Sequence, residues 1–345
     1  MQNTSILEKI AKALVAPGKG ILAADESAST CDKRFDEHGI QKTEEMRRKW
    51  RGLLFGTPGV HTALSGVIFY EETLRQKADD GTLFPELLKS RGIIPGIKVD
   101  QGLEPFPGSP EEKVTKGLDQ LAIRLAEYYA LGARFAKWRA VITIGKGLPT
   151  EPCIRENARR LAEYARLCQS VGLVPILEPE VLLDGTHTLA RSQEVLTQTL
   201  KIVFEEVEKA EVNLKGLILK SSMALPGKES FRQSSGQAGK TVTPQEVATA
   251  TLSAFMKAVP KTVAGIVFLS GGQTPMEATV HLNEIAMQAK ALKAPWPLTF
   301  SYSRALQAPV IAEWKGQESK VASAQAIFKQ RVEETALASE GKFKA

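Results

Sequence analysis

Charged residues recur two apart at the ends of short apolar runs in this chain: Lys98 and Asp100, Lys137 and Arg139, Glu178 and Glu180. In a strand, residues two apart share a face. Counting back by two puts Phe135 and Ile176 on the same faces as these charges, while Ile97, Val99, Ala136, Trp138 and Leu177 fall on the opposite, helix-facing sides. Asp25 closes an earlier run with Ile21 and Ala23 behind it, and Lys220 lies toward the end of Leu214–Met223. One such pair reads equally well as a buried salt bridge. All of them together do not, because an unpaired buried ion costs several kcal/mol against a net stability of about 5–15 kcal/mol for a domain. A fold that gathers this many charges is holding an active site.

Three lysines, Lys98, Lys137 and Lys220, are expected to share that site. Like charges and loss of water both lower the pKa of an ammonium, so one lysine is expected to stand neutral and nucleophilic. Lys220, on an apolar run of the kind covered on both faces, is the candidate. A carboxylic acid such as Glu178 can then deliver the proton that expels water from a carbinolamine. Lysine plus acid is imine chemistry on a carbonyl substrate, with no metal and no cofactor expected. A phosphate subsite is expected nearby. Ser270-Gly271-Gly272-Gln273 runs into a helix start at Thr274, where glycines let backbone N–H groups approach an anion, and Ser301, Ser303 and Arg304 arrive from the last apolar run.

The elements that must position these groups are eight apolar runs: 20–25, 66–71, 94–100, 133–140, 174–181, 214–223, 263–270 and 296–303. Helical stretches alternate with them. Ala248, Leu252, Phe255, Met256 and Val259 fall on one helical face, as do Val321, Ala324, Phe328 and Val332. Helix starts with a hydroxyl cap, proline at the first position and glutamate at the third are read at Ser109, Thr243 and Thr274. Eightfold alternation predicts an α/β fold, a closed (β/α)8 TIM barrel with an N-terminal helix and a short C-terminal segment, with chemistry at the C-terminal ends of its strands. An open doubly wound sheet is disfavoured, since no Gly-rich dinucleotide loop follows the first run. No composition shift divides the chain, which predicts one domain over residues 1–345. Gly227–Lys240, rich in Ser, Gly, Gln and Lys, reads as a mobile loop on the rim above the Lys220 strand.

The totals exclude several classes. Net charge is +6, but Lys and Arg are interleaved with Asp and Glu, with no basic tail or aromatic-basic motif. Nucleic acid is therefore not the expected partner; a phosphorylated small substrate is. No apolar run approaches the roughly 18 residues of a membrane span. The amphipathic start with Ile6, Ile10 and Leu14 has no signal-peptide core. Cys31, Cys153 and Cys168 are too scattered for a disulfide framework or zinc, which fits a reducing cytoplasm, and the four histidines have no ligand spacing.

Seven motifs in order make the residues recognisable: 20–27 (GILAADES), 76–81 (QKADDG), 96–100 (GIKVD), 135–139 (FAKWR), 178–180 (EPE), 268–273 (FLSGGQ), and 299–302 (TFSY) with 304–308 (RALQA). From the N-terminal helix to about Gly341 the chain resembles class I fructose-bisphosphate aldolase, the metal-independent Schiff-base type. The resemblance implies a lyase of glycolysis and gluconeogenesis that reversibly splits fructose 1,6-bisphosphate into dihydroxyacetone phosphate and glyceraldehyde 3-phosphate. It implies an imine on Lys220, acid–base work by Glu178 with Lys137 and Glu180 assisting, and Asp25 as the base at the C4 hydroxyl. One phosphate is expected on Ser270, Gly271, Gly272 and Arg304, the other on Ser27, Thr30, Arg34 and Lys98, with Arg139 at the sugar hydroxyls. A cytoplasmic homotetramer is implied.

The chain departs from the family pattern at Ser221-Ser222, where Pro-Asn is usual, and at Ser303 and Ser29, each in place of a glycine. A side chain at Ser303 is expected to crowd the anion. The stretch 227–240 is longer than usual, and Lys342-Phe343-Lys344-Ala345 lacks the terminal tyrosine of many eukaryotic members, so enamine proton exchange is expected to use another group or water, or to be slow. Sedoheptulose 1,7-bisphosphate and fructose 1-phosphate stay open as alternative substrates, and a non-catalytic scaffold as an alternative class.

Overall fold

The computed structural model describes residues 2–230 and 242–344. Eight parallel strands close into a barrel: β1 (Gly20–Ala24), β2 (Leu64–Phe69), β3 (Ile94–Lys98), β6 (Phe135–Ile142), β7 (Val174–Val181), β8 (Ile218–Ser221), β9 (Gly265–Phe268) and β10 (Leu298–Tyr302). β10 returns to pair with β1, so among the barrel strands no edge is left open. β4 (Leu103–Phe106) and β5 (Ser109–Thr115) form a separate antiparallel hairpin.

Alternation along the strands sorts the interior into two media. Ile21, Ala23, Ile68, Phe135, Val174, Ile176, Ile218 and Val267 point inward and make one apolar cluster. The helix Gln2–Leu14 closes it from below with Leu7, Ala11 and Leu14, joined by Val15. Phe135 fills the barrel where β3 and β2 supply no side chain. A Cβ on Gly96 would stand 2.3 Å from its ring, and one on Gly66 3.1 Å. The opposite faces, carrying Ile97, Val99, Ala136, Trp138 and Leu177, pack in the larger cluster between barrel and helices, as alternation predicts.

Two of the expected helix starts form. Thr243 and Thr274 cap the helices Pro244–Ala258 and Pro275–Ala291 with reciprocal bonds to Glu246 and Glu277. The third, at Ser109, does not. Gly108 takes φ +82° and turns the chain into a hairpin, so Ser109-Pro110-Glu111-Glu112 is strand. Glu112 is buried there and accepts from Thr150 N–H at 2.9 Å and Thr150 Oγ1 at 2.6 Å. A tertiary partner overrides the local capping signal. Met256 also differs from expectation: it is about half exposed, while the adjacent Phe255 takes the buried position. The run 214–223 is strand only over Ile218–Ser221, because Leu214–Gly216 is a 3-10 turn capped by the Asn213 side chain. Most of the stretch read as a rim loop, 231–240, lies outside the described residues.

Candidate active site

The inward positions that carry apolar groups in the lower barrel carry ions two residues further on. Lys137 follows Phe135 on β6, Glu178 follows Ile176 on β7, and Lys220 follows Ile218 on β8. Asp25 lies one residue past the end of β1. These four form a chain of alternating charge. Lys137 Nζ lies 2.6 Å from Asp25 Oδ2 and 3.1 Å from Glu178 Oε2, and Lys220 Nζ lies 3.0 Å from Glu178 Oε1. All four are buried.

Their protonation follows from that order. Burial pushes the Asp25 carboxyl up, but the Lys137 and Lys220 ammonium groups and the Lys137 hydrogen bond outweigh it, and the pKa falls well below its ordinary value. Glu178 behaves likewise: burial opposes ionisation, and Lys137, Lys220 and Arg139 prevail. Burial also disfavours the Lys137 cation, yet Asp25 and Glu178 together raise its pKa. Lys137 is therefore held as an ammonium. Asp25 and Glu178 both face its Nζ and hold the proton there.

A second charged chain lies on the wall. Lys98 Nζ bonds Asp100 Oδ1 at 2.7 Å and the Asp100 carbonyl at 2.9 Å. Asp100 Oδ2 also accepts from Arg139 N–H at 3.2 Å, and the Arg139 guanidinium pairs with Glu180. A third group was not anticipated. Glu26 is buried against Arg34 and against Arg51 at 2.7 Å, and it accepts from Ser303 Oγ at 2.5 Å. Burial opposes its ionisation, the two guanidinium groups win, and its pKa is lowered to about 2.

All of these groups except Arg51 line one cavity of 660 Å³. Every catalytic and substrate-binding residue expected from the sequence borders it except Gly272, which faces the adjoining hollow. On one side Gly271 and Gly272 take φ +55° and +84°. They form a turn closed by Gln273 N–H donating to Ser270 O at 3.0 Å, the kind of conformation that can offer backbone N–H groups to an anion, and neither glycine N–H donates to another described residue. The Ser301 hydroxyl is buried beside it with no hydrogen-bond partner among the described residues. Across the cavity, Ser27 Oγ caps the helix Ala28–Asp36, accepting from Thr30 N–H at 3.3 Å. The Ser303 hydroxyl is engaged by Glu26, by Arg34 at 3.3 Å and by Gln307 at 3.2 Å. Ser222 bonds both backbone groups of Val181, at 3.0 and 3.1 Å, and so ties the Lys220 segment to β7.

The family model for class I fructose-bisphosphate aldolase matches residues 6–345. A probable class 1 fructose-bisphosphate aldolase of Xanthomonas campestris is 49% identical over 98% of this chain and 98% of its own. The fructose-bisphosphate aldolase of Drosophila melanogaster is 48% identical over 98% of this chain and 91% of its own. In three dimensions the chain is similar to fructose-bisphosphate aldolase from Plasmodium falciparum, solved in complex with TRAP and a small-molecule inhibitor. The TM-score is 0.95 at 45% identity, covering 100% of this chain and 97% of that one. The expectations of a TIM barrel and of a glycolytic lyase with class I aldolase activity are borne out. The chain belongs to the class I fructose-bisphosphate aldolase family.

Proposed function

We propose that this chain, as a single domain over residues 1–345, cleaves fructose 1,6-bisphosphate through an imine on Lys220. The observation that carries the mechanism is the 3.0 Å contact between Lys220 Nζ and Glu178 Oε1 inside the cavity. Proton transfer across it turns an ammonium and a carboxylate into an amine and a carboxylic acid in one step. The amine adds to the C2 ketone. Glu178 then returns its proton to the carbinolamine oxygen, and water leaves as the iminium forms.

Asp25, kept ionised by Lys137, takes the C4 hydroxyl proton as the C3–C4 bond breaks. The bond's electron pair flows into the iminium and leaves an enamine on Lys220. Glyceraldehyde 3-phosphate departs. Protonation at C3 and hydrolysis then release dihydroxyacetone phosphate. Glu180 orients Arg139 toward the sugar hydroxyls. Ser270, Gly271, Gly272, Ser301 and Arg304 take one phosphate; Ser27, Thr30, Arg34 and Lys98 take the other, with Ser303 holding Arg34 in place. We extend the reading to a cytoplasmic homotetramer. Family membership supports it, a relative from Arabidopsis thaliana is named cytosolic, and no described helix is long and apolar enough to cross a membrane. Sedimentation equilibrium checks the subunit number.

Borohydride added with dihydroxyacetone phosphate should fix a covalent adduct, and peptide mass mapping should place it on Lys220. An unlabelled protein, an adduct on another lysine, or full turnover in Lys220→Ala would each refute the mechanism.

A further inference from the structure

The chain leaving β8 returns past the phosphate loop within a few residues of Lys220. Met223, Ala224 and Leu225 are buried, and after them the backbone pairs with the loop that follows β7. Gly227 N–H donates to His187 O at 2.8 Å, Lys228 N–H to Leu183 O at 2.9 Å, and Glu229 N–H to Gly185 O at 3.1 Å. Ser230 Oγ adds a bond to Thr186 O at 2.7 Å. A Cβ on Gly227 would stand 2.1 Å from Gly185 O, so this close pairing requires glycine. Four hydrogen bonds thus fix the backbone from which the Lys228 side chain extends.

That side chain reaches across to the loop after β9. Lys228 Cε and Nζ each lie 2.9 Å from the point that a Cβ on Gly272 would occupy, and Arg304 Nη2 lies 3.5 Å from the same point. Two cations, delivered by different strand exits, therefore meet over one glycine of this turn. Gly271 and Arg304 line the catalytic cavity, while Lys228 and Gly272 line the hollow beside it. Among the described residues the anion paired with Lys228 is Asp184, at 3.4 Å with its carboxylate largely in solvent. A pair so long and exposed holds its ammonium weakly.

We propose that Lys228 is a further substrate-binding residue, a second cation beside Arg304 for the phosphate at the end of the ketose nearest the imine carbon. A phosphate monoester is close to a dianion at neutral pH. One guanidinium leaves much of that charge uncompensated, and a neighbouring ammonium supplies the rest. The proposal rests on the reading that the 270–272 loop takes that phosphate, and it adds a component from the Lys220 strand itself.

Inorganic phosphate is the probe, because its binding needs no turnover. Its affinity is measured on the full chain by calorimetry and by competitive inhibition of cleavage. Lys228→Met should weaken it about five- to tenfold, the scale of one lost charge-assisted contact at a partly exposed site. KM should rise by a similar factor for fructose 1,6-bisphosphate and for fructose 1-phosphate, with kcat within about twofold. Lys228→Arg should restore most of the affinity, and an unchanged melting temperature in both variants shows that the fold is intact. Unaltered phosphate affinity in Lys228→Met would overturn the proposal. So would a KM loss confined to fructose 1,6-bisphosphate, which would put the ammonium at the far phosphate. Absence of the Lys220 adduct, in contrast, would refute the imine mechanism and leave the phosphate comparison standing.

Discussion

Phe135 and Lys137 are neighbours on one face of β6, and they stand in different media. Around Phe135 the barrel is filled by aliphatic side chains, closed from below by the N-terminal helix, with Gly96 and Gly66 leaving room for its ring. Around Lys137 two carboxylates close in, Asp25 at 2.6 Å and Glu178 at 3.1 Å. The floor is held by packing, where a methylene too many is felt. The mouth is held by charge order, because each buried ion is tolerated only while its partner is present. The difference teaches where stability and chemistry reside. The floor packs the strands together, and the mouth above it keeps the Lys220 ammonium and the Glu178 carboxylate within one proton transfer of each other. Substitutions at the two levels should fail in different ways.

The sharpest test of the mouth is Glu178→Gln. The amide keeps the shape and a hydrogen bond to Lys220 but cannot accept its proton. Loss of one acid–base group is expected to lower kcat about 10²–10⁴-fold. Borohydride trapping should slow in proportion, since imine formation is the step affected, and denaturant stability should fall as well, because Lys137 and Lys220 lose their shared carboxylate. A variant that cleaves normally but melts early would make Glu178 a structural ion and break the contrast.

How much of this was legible from residue order depends on whether a partner lies at a fixed spacing. Lys137, Glu178 and Lys220 were readable because period-two alternation ties each to an apolar inward residue two positions earlier. Glu26 was not. It follows Asp25 directly, so alternation points it away from the barrel axis, and its partners Arg34, Arg51 and Ser303 come from two helices and the far end of the chain. Arg51 looks like one more cation in a charged helix, and nothing local marks it as buried. The Ser109 segment misled for the reverse reason, since a genuine capping pattern was overruled by Gly108 and by Thr150. Lys228 could not be placed at all, because its reach to Gly272 depends on a loop pairing that has no sequence period. The protonation order was half legible: the lysines were expected together, but their interleaving with carboxylates is a fact of three dimensions.

The floor is tested by Gly96→Ala. The new methyl would stand 2.3 Å from the Phe135 ring, so either the ring or β3 must move. Overpacking of this kind costs about 1–3 kcal/mol, read as a lower denaturant midpoint. The folded fraction should retain most of its activity, losing far less than Glu178→Gln. Equal collapse of stability and turnover would show that floor and mouth are one unit and not two.

The smallest effect separates the two levels by pH. Asp25 and Glu178 have folded-state pKa values below their ordinary 3.8 and 4.5. Their ionised forms are therefore favoured by folding. That contribution is present in full above the ordinary values and is lost as pH falls below them toward the folded ones. Stability measured by denaturant midpoint should thus fall on acidification below about pH 4.5. Lys137 supplies much of the downward pull on both carboxyls. In Lys137→Met their burial acts with less opposition, so both folded-state pKa values rise toward the ordinary ones, and the acid loss should become smaller and end at higher pH. Gly96→Ala, which alters no ion, should keep the wild-type acid limb and shift only its height. An acid limb identical in Lys137→Met and Gly96→Ala would mean that the charge chain contributes nothing to folding, and the division between a packed floor and a charge-ordered mouth would fail.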